Sequence, residues 1–171
     1  PVFDRSGVRF GVTICADGGF VEPTRILALK GARIVFCPHN NNVFEPVDHY
    51  QQVRNDHVAR AVENGIYFLR GNNVVPGRAD AVAEDGRLRI GYGDSYLLDP
   101  NGEIVAGAGL HSEYLMVYNL DPEKHHRSPK RRLRWERDVQ EMIGLYEQSL
   151  QCYNRRLTFS RTSSSHSISR G

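Results

Sequence analysis

The sequence predicts an α/β (α+β-like) fold, a mixed sheet with helices on one face. Three observations carry that reading. Over 8–69, apolar runs of strand length alternate with segments of helical period, in the order βαβαβ. Beyond about residue 88 the helical period gives way to consecutive strand patterns, two of them joined by the turn Asp99-Pro100-Asn101-Gly102. Helical crossovers require parallel neighbours and a hairpin requires antiparallel ones, so both pairings share one sheet.

The elements follow in order. Residues 8–14 alternate loosely and are rich in β-branched side chains, which predicts a strand ending at Cys15. Pro23 suits the first turn of the next helix, Glu22 complements its positive end, and Gly31 closes it. Residues 33–37 form a short apolar strand that Pro38 should stop, followed by the polar loop His39-Asn40-Asn41-Asn42. A helix beginning near Pro46 runs to Asn64, with Val53, His57, Val58, Ala61 and Val62 on one face and Gly65 beyond its end. Residues 66–69 are a buried strand. Strands at 94–98, 103–106 and 113–120 follow, and a last helix is expected over 135–150. Residues 152–171 hold six Ser, four Arg and no acid, and read as a disordered tail. The division is therefore one domain over 1–150, which the resemblance given below implies is partial, and a tail over 151–171.

Composition sets bounds on function. The 171 residues are 40% apolar and 25% charged, enough for one core. No apolar run approaches the ~20 residues that span a membrane, and no signal peptide is recognisable. Three widely spaced cysteines, Cys15, Cys37 and Cys152, do not make a disulfide framework and fit a reducing, cytoplasmic setting. Residues 1–123 carry 11 Lys+Arg against 16 Asp+Glu, and residues 124–171 carry 11 against 4. The basic stretch 124–137 has no stacking aromatics or nucleic-acid motif, so a solvated surface is preferred over nucleic-acid binding.

Cys15 is the leading candidate for chemistry. It ends a strand that precedes a helix, and it is followed by Ala16-Asp17-Gly18-Gly19. A thiol at the carboxyl end of a parallel strand, close to a helix N-terminus, is placed as a nucleophile is. Asp17 is read as a brace for the turn and Glu22 as a structural neighbour. His39, Asn40 and Asn41 follow the adjacent strand, where loops line pockets, and are candidate substrate contacts. Cys37 is read as core. His125-His126 has no accompanying ligand cluster, so no metal is expected.

The stretch GVTICADGGFVEPTRILALKGARIVFCP resembles the nucleophile region of the nitrilase, or carbon–nitrogen hydrolase, superfamily. There an apolar strand ends in Cys-x-Asp, an acidic residue opens the next helix, and Arg-x-Leu-Ala-Leu-x-Gly-Ala leads to the following strand. ARAVENGIYFLRGNNV, GDSYLLDPNGEIVA and EYLMVYNLD resemble later blocks of the same family, in the same order, over about 7–122. Gly19 and Val21 stand where the family often has Arg and Pro. The resemblance implies the C-terminal part of an α-β-β-α sandwich and hydrolysis of a non-peptide C–N bond, amide or carbamoyl before nitrile. It implies Cys15 as nucleophile and the backbone N–H of Ala16 as oxyanion donor, with no metal or organic cofactor. The family's catalytic Glu and Lys come from upstream of the cysteine. Here Pro1 is fourteen residues before it, and Lys30 lies ~12 Å along the following helix from that helix's start. The expectation is a chain inert alone, acting on a small amide-type substrate once joined by an upstream half or as a homo-oligomer. A catalytically dead scaffold subunit of the same fold is the alternative.

Overall fold

The computed structural model describes residues 1–43, 46–75, 90–121 and 139–163. They divide into two units, Pro1–Lys130 and Arg131–Gly171.

The first unit is built on eight strands. β1 (Val2–Arg5) and β2 (Val8–Val12) form an antiparallel pair. A 3₁₀ turn (Cys15–Gly19) leads into α1 (Val21–Leu29), which returns the chain to β3 (Ile34–His39), parallel to β2. β4 (Asn42–Val43) precedes α2 (Pro46–Asn64), and β5 (Tyr67–Asn72) then lies parallel to β3. β6 (Val74–Val75), β7 (Ile90–Leu98) and β8 (Ile104–Leu110) complete the set. The order is β1-β2-β3-β5-β7-β4, with β6 and β8 also paired to β7. The parallel centre and antiparallel flank match the expectation of a mixed sheet.

One sheet face carries the core. The registers Gly11↔Val35, Val35↔Phe68 and Phe68↔Leu98 align that face across four strands. Leu27 of α1 and Ala61 of α2 close it, with Ala32, Cys37, Ile66 and Tyr96. Gly11 is required there: a Cβ would stand 2.7 Å from a Leu27 methyl. α1 and α2 are tied by Arg25, which donates to the Glu63 carbonyl at 3.0 Å and pairs with its carboxylate at 3.7 Å. On the opposite face Phe3, Phe10 and Phe36 form a run of ring contacts at 5.4 and 5.6 Å, and Phe3 is 45% exposed.

Several expectations are corrected. Pro38 does not stop β3, because pairing with β2 ends at Phe36. Phe36 turns its carbonyl toward β2, accepting from the Thr13 N–H at 2.9 Å. Pro38 has the same parity, so its missing N–H faces the edge beyond β2, where a ladder loses nothing. Val62 is 43% exposed rather than core, although a Cβ on Gly102 would meet it at 2.8 Å. The strand expected over 113–120 does not form a regular strand; Leu115 and Val117 are 83% and 80% exposed. It finds no ladder partner among the described residues, and a run without one is not a strand. Tyr67 donates to the Asp121 carbonyl at 3.4 Å, which ties the end of this segment to β5.

The second unit contains α3 (Gln140–Ser163). The helix continues through 151–163, where a tail was read; residues 135–138, where the expected helix begins, lie outside the described residues. Over 151–163 Gln, Arg and Leu are good helix formers, and no Gly or Pro interrupts that stretch. No helix among the described residues is long and apolar enough to cross a membrane.

The β7–β8 hairpin is held by one carboxylate. Asp99 accepts from the Asn101 N–H at 2.9 Å, the Glu103 N–H at 2.9 Å and Asn101 Nδ2 at 3.1 Å, while Gly102 takes φ +84°. Asp99→Ala should therefore lower the free energy of unfolding by about 1–2 kcal/mol without changing the fold. Urea titration followed by circular dichroism reads this as a lower midpoint at unchanged slope.

Candidate active site

The chain leaves β2 at Val12 and must turn sharply into α1. Asp17 sets that turn. Its carboxylate accepts from the Ile14 N–H at 3.0 Å, and its own N–H donates to the Ile14 carbonyl at 3.1 Å. Between them Cys15 takes φ +50°, the left-handed region that a residue with a Cβ enters at a cost of about 1–2 kcal/mol. Strain of this kind persists where surrounding structure imposes it, and it concentrates at functional sites. Ala16 lies in the first turn of the 3₁₀ segment, where N–H groups lack an acceptor within the helix. Glu22 sits in the first turn of α1.

The thiol of Cys15 is part-buried and donates to Asn41 Oδ1 at 3.6 Å. Asn41 is fixed by its backbone N–H, which donates to Asn72 Oδ1 at 2.9 Å. Its Nδ2 lies 3.3 Å from the Tyr92 hydroxyl and 3.4 Å from His49 Nδ1. The same Oδ1 accepts from His39 Nδ1 at 3.1 Å. An amide oxygen only accepts, so the His39 proton is on Nδ1 and its Nε2 lone pair faces Cys37 Sγ at 3.2 Å. Of the three candidate substrate contacts, His39 and Asn41 are thus brought to Cys15. Asn40 is exposed and lies outside this network.

Behind the thiol are groups that sequence reasoning assigned to core or passed over. His57 of α2 is buried, with Nδ1 2.8 Å from the Tyr96 hydroxyl and its ring against His39 and Phe68. Cys37, His39 and His57 each present a ligand atom, all within 4.8 Å of one another. Arg70 of β5 is fully buried and donates to the carbonyls of Gly93 and Asp94 and, at 2.9 Å, to the Tyr92 hydroxyl. Asp94 lies 3.8 Å from Arg70 and also pairs with Arg54 of α2. The available signal was Arg70 itself, a charge inside the apolar strand FLRGN.

Burial and the Arg70 charge set protonation. Burial foremost, then Arg70, bring His39 down to about 4. Burial, then its neighbour His39, then Arg70, bring His57 down to about 2. Burial pushes the Cys37 thiol up. At neutral pH the site is a set of neutral imidazoles and a neutral Cys37 around a part-buried thiol. Among the described residues, Cys15 Sγ has Asn41 as its hydrogen-bond partner and no carboxylate or ammonium.

Comparison with known proteins identifies the family. The carbon–nitrogen hydrolase family profile matches residues 1–129. The chain belongs to the carbon–nitrogen hydrolase family. It is 32% identical over 130 residues to an N-carbamoylputrescine amidase of Solanum tuberosum, covering 72% of this chain and 42% of that protein. It is 30% identical over 127 residues to a citrullinase of Francisella tularensis, covering 70% and 41%. Among solved structures it resembles an amidase of Nesterenkonia carrying the acetamide moiety of fluoroacetamide on its active-site cysteine. The TM-score there is 0.55 at 26% identity, over 81% of this chain and 46% of that one. The chain thus spans about two fifths of the length of the curated relatives it matches.

The Arg70–Asp94 pair is the buried electrostatic support of the groups behind Cys15. Asp94→Asn removes the carboxylate facing a guanidinium that has no exposed surface. A loss of roughly 3 kcal/mol in unfolding free energy is expected. The loss should persist at 1 M salt, because the pair is buried and weakly screened. Chemical denaturation at low and high salt checks both points.

Proposed function

We propose that Cys15 is the nucleophile of a C–N hydrolase acting on an amide or carbamoyl group of a small molecule. The observation that carries the reading is the backbone of Cys15: held at positive φ by the Asp17 clamp, at the end of a parallel strand, with Asn41 beside the thiol. Support also comes from the relatives, an N-carbamoylputrescine amidase, a citrullinase and the Nesterenkonia amidase whose active-site cysteine is modified by an amide reagent. Their names favour amide and carbamoyl substrates over nitriles.

In this reading the Cys15 sulfur attacks the carbonyl carbon and its proton passes to the departing nitrogen. The amine leaves, a thioester remains, and water cleaves it to the acid and the free thiol. The Ala16 N–H would face the oxyanion. Loss of such a donor costs on the order of 10²–10³-fold, and general acid–base catalysis contributes roughly 10²–10⁴-fold. The acid–base and cationic partners would come from the part of the family fold that precedes the nucleophile strand, contributed by another polypeptide segment or a second copy. Phe20, Val21, Ile26 and Leu29, 42–63% exposed, are apolar surface available to such a partner.

The test is alkylation of Cys15 by iodoacetamide, followed by peptide mass spectrometry, with Cys15→Ala as control. The chain is measured alone and after co-expression with an upstream fragment of a family member. Labelling of the assembled protein at pH 6.5 should exceed that of a free thiol roughly ten-fold or more. Labelling no faster than a free thiol, in an assembled complex, would sink the nucleophile reading and leave the scaffold one.

A further inference from the structure

We propose that Cys37, His39 and His57 form a binding site for a thiophilic divalent cation of the zinc class, behind Cys15 and distinct from it. The three residues come from β3, its last position and α2. Their ligand atoms are no more than 4.8 Å apart, and Cys37 Sγ is 3.2 Å from His39 Nε2. Around a tetrahedral zinc, with bonds of roughly 2.0–2.3 Å, ligand atoms stand roughly 3.3–3.7 Å from one another. The Cys37–His39 pair stands at about that spacing, and the His57 atom lies within 4.8 Å of both before a cation enters.

The imidazoles are also oriented for the task. Histidines that hold metals commonly use the other ring nitrogen to donate to an oxygen, which fixes tautomer and ring angle. His39 Nδ1 donates to Asn41 Oδ1, and His57 Nδ1 lies 2.8 Å from the Tyr96 oxygen. With that oxygen accepting, both Nε2 lone pairs are free to ligate.

Gly18 supplies the space. A Cβ there would stand 2.7 Å from His57 Nε2 and 2.8 Å from Cys37 Sγ, so only glycine leaves the volume over these atoms open. Core packing accounts for the burial of Cys37, but not for three lone-pair atoms meeting under a glycine. One thiolate and two imidazoles select zinc-like cations over magnesium or calcium, which take oxygen donors. The fourth position is left to water. On binding, the Cys37 S–H bond is replaced by a sulfur–metal bond, the proton passes to solvent, and the metal keeps its oxidation state.

The probe is Co²⁺, whose thiolate charge-transfer absorption reports a sulfur ligand and whose visible bands report tetrahedral geometry. The double variant Cys15→Ala/Cys152→Ser of the 171-residue chain keeps Cys37 as its one thiol. Titrated with Co²⁺ after chelator treatment, it should bind one equivalent with both signatures, and Zn²⁺ should displace it. In the same background His57→Gln should weaken binding by roughly 10-fold or more. Absence of the thiolate band in the double variant overturns the proposal, as does a band unchanged by His57→Gln. Cys15 is absent from this protein, so the result is separate from whether Cys15 is a nucleophile.

Discussion

A guanidinium with no exposed surface sits in the middle of the sheet, and the arrangement around the thiol depends on how it is accommodated. Taking Arg70 out of water costs several kcal/mol even after relaxation. Two carbonyls, a tyrosine hydroxyl and a carboxylate offset that cost. The carbonyls are available because Gly93 and Asp94 take φ +73° and +61° in succession, bending β7 where the register to β8 shifts. The bend therefore does two things: it moves β7 from pairing with β5 to pairing with β4 and β6, and it turns acceptors toward Arg70. Asp94 in turn binds Arg54, which ties α2 to the bend. His57 lies three residues further along that helix, so the buried pair also helps place an imidazole.

The turn at Cys15 is the second constraint, and it is local. Asp17 bonds back to Ile14 on both sides, which leaves the cysteine little freedom to relax out of the left-handed region. Small residues then let the layers close: Gly11 admits Leu27, and Gly18 admits Cys37 and His57. A side chain at either place would separate helix from sheet.

Much of this fold was legible in the chain. The βαβαβ order, the helix from Pro46 to Asn64 and the hairpin at Asp99–Gly102 follow from periodicity and turn chemistry, which are local properties. Pro38 misled because its effect depends on whether a neighbouring strand needs its N–H, and β2 has ended by then. The 113–120 segment misled because alternation shows that a strand could form, not that an edge is there to receive it. Cys15, Asp17, His39 and Asn41 could be picked out from their places after strands. Cys37, His57 and Asp94 could not, because their roles arise from contacts between different elements; Arg70 stood out only as a charge within an apolar strand. A buried histidine on an apolar helix face looks like core until the tertiary structure puts a thiol beside it.

Asn41 joins the two chemistries. Its Oδ1 has two lone pairs, and both are used, one by the Cys15 thiol and one by His39 Nδ1. The Cys15 proton and the His39 tautomer are therefore linked through one atom. A group that holds His39 Nε2 keeps the proton on Nδ1, and with it the Asn41 Oδ1 orientation that also serves the thiol. The Asn72 contact bonds the backbone of Asn41, while Nδ2 meets the Tyr92 hydroxyl at 3.3 Å and His49 Nδ1 at 3.4 Å, so the amide is held with Oδ1 toward the thiol. A buried amide between a strained cysteine and a neutral histidine thus joins the part-buried thiol to the groups behind it through one oxygen.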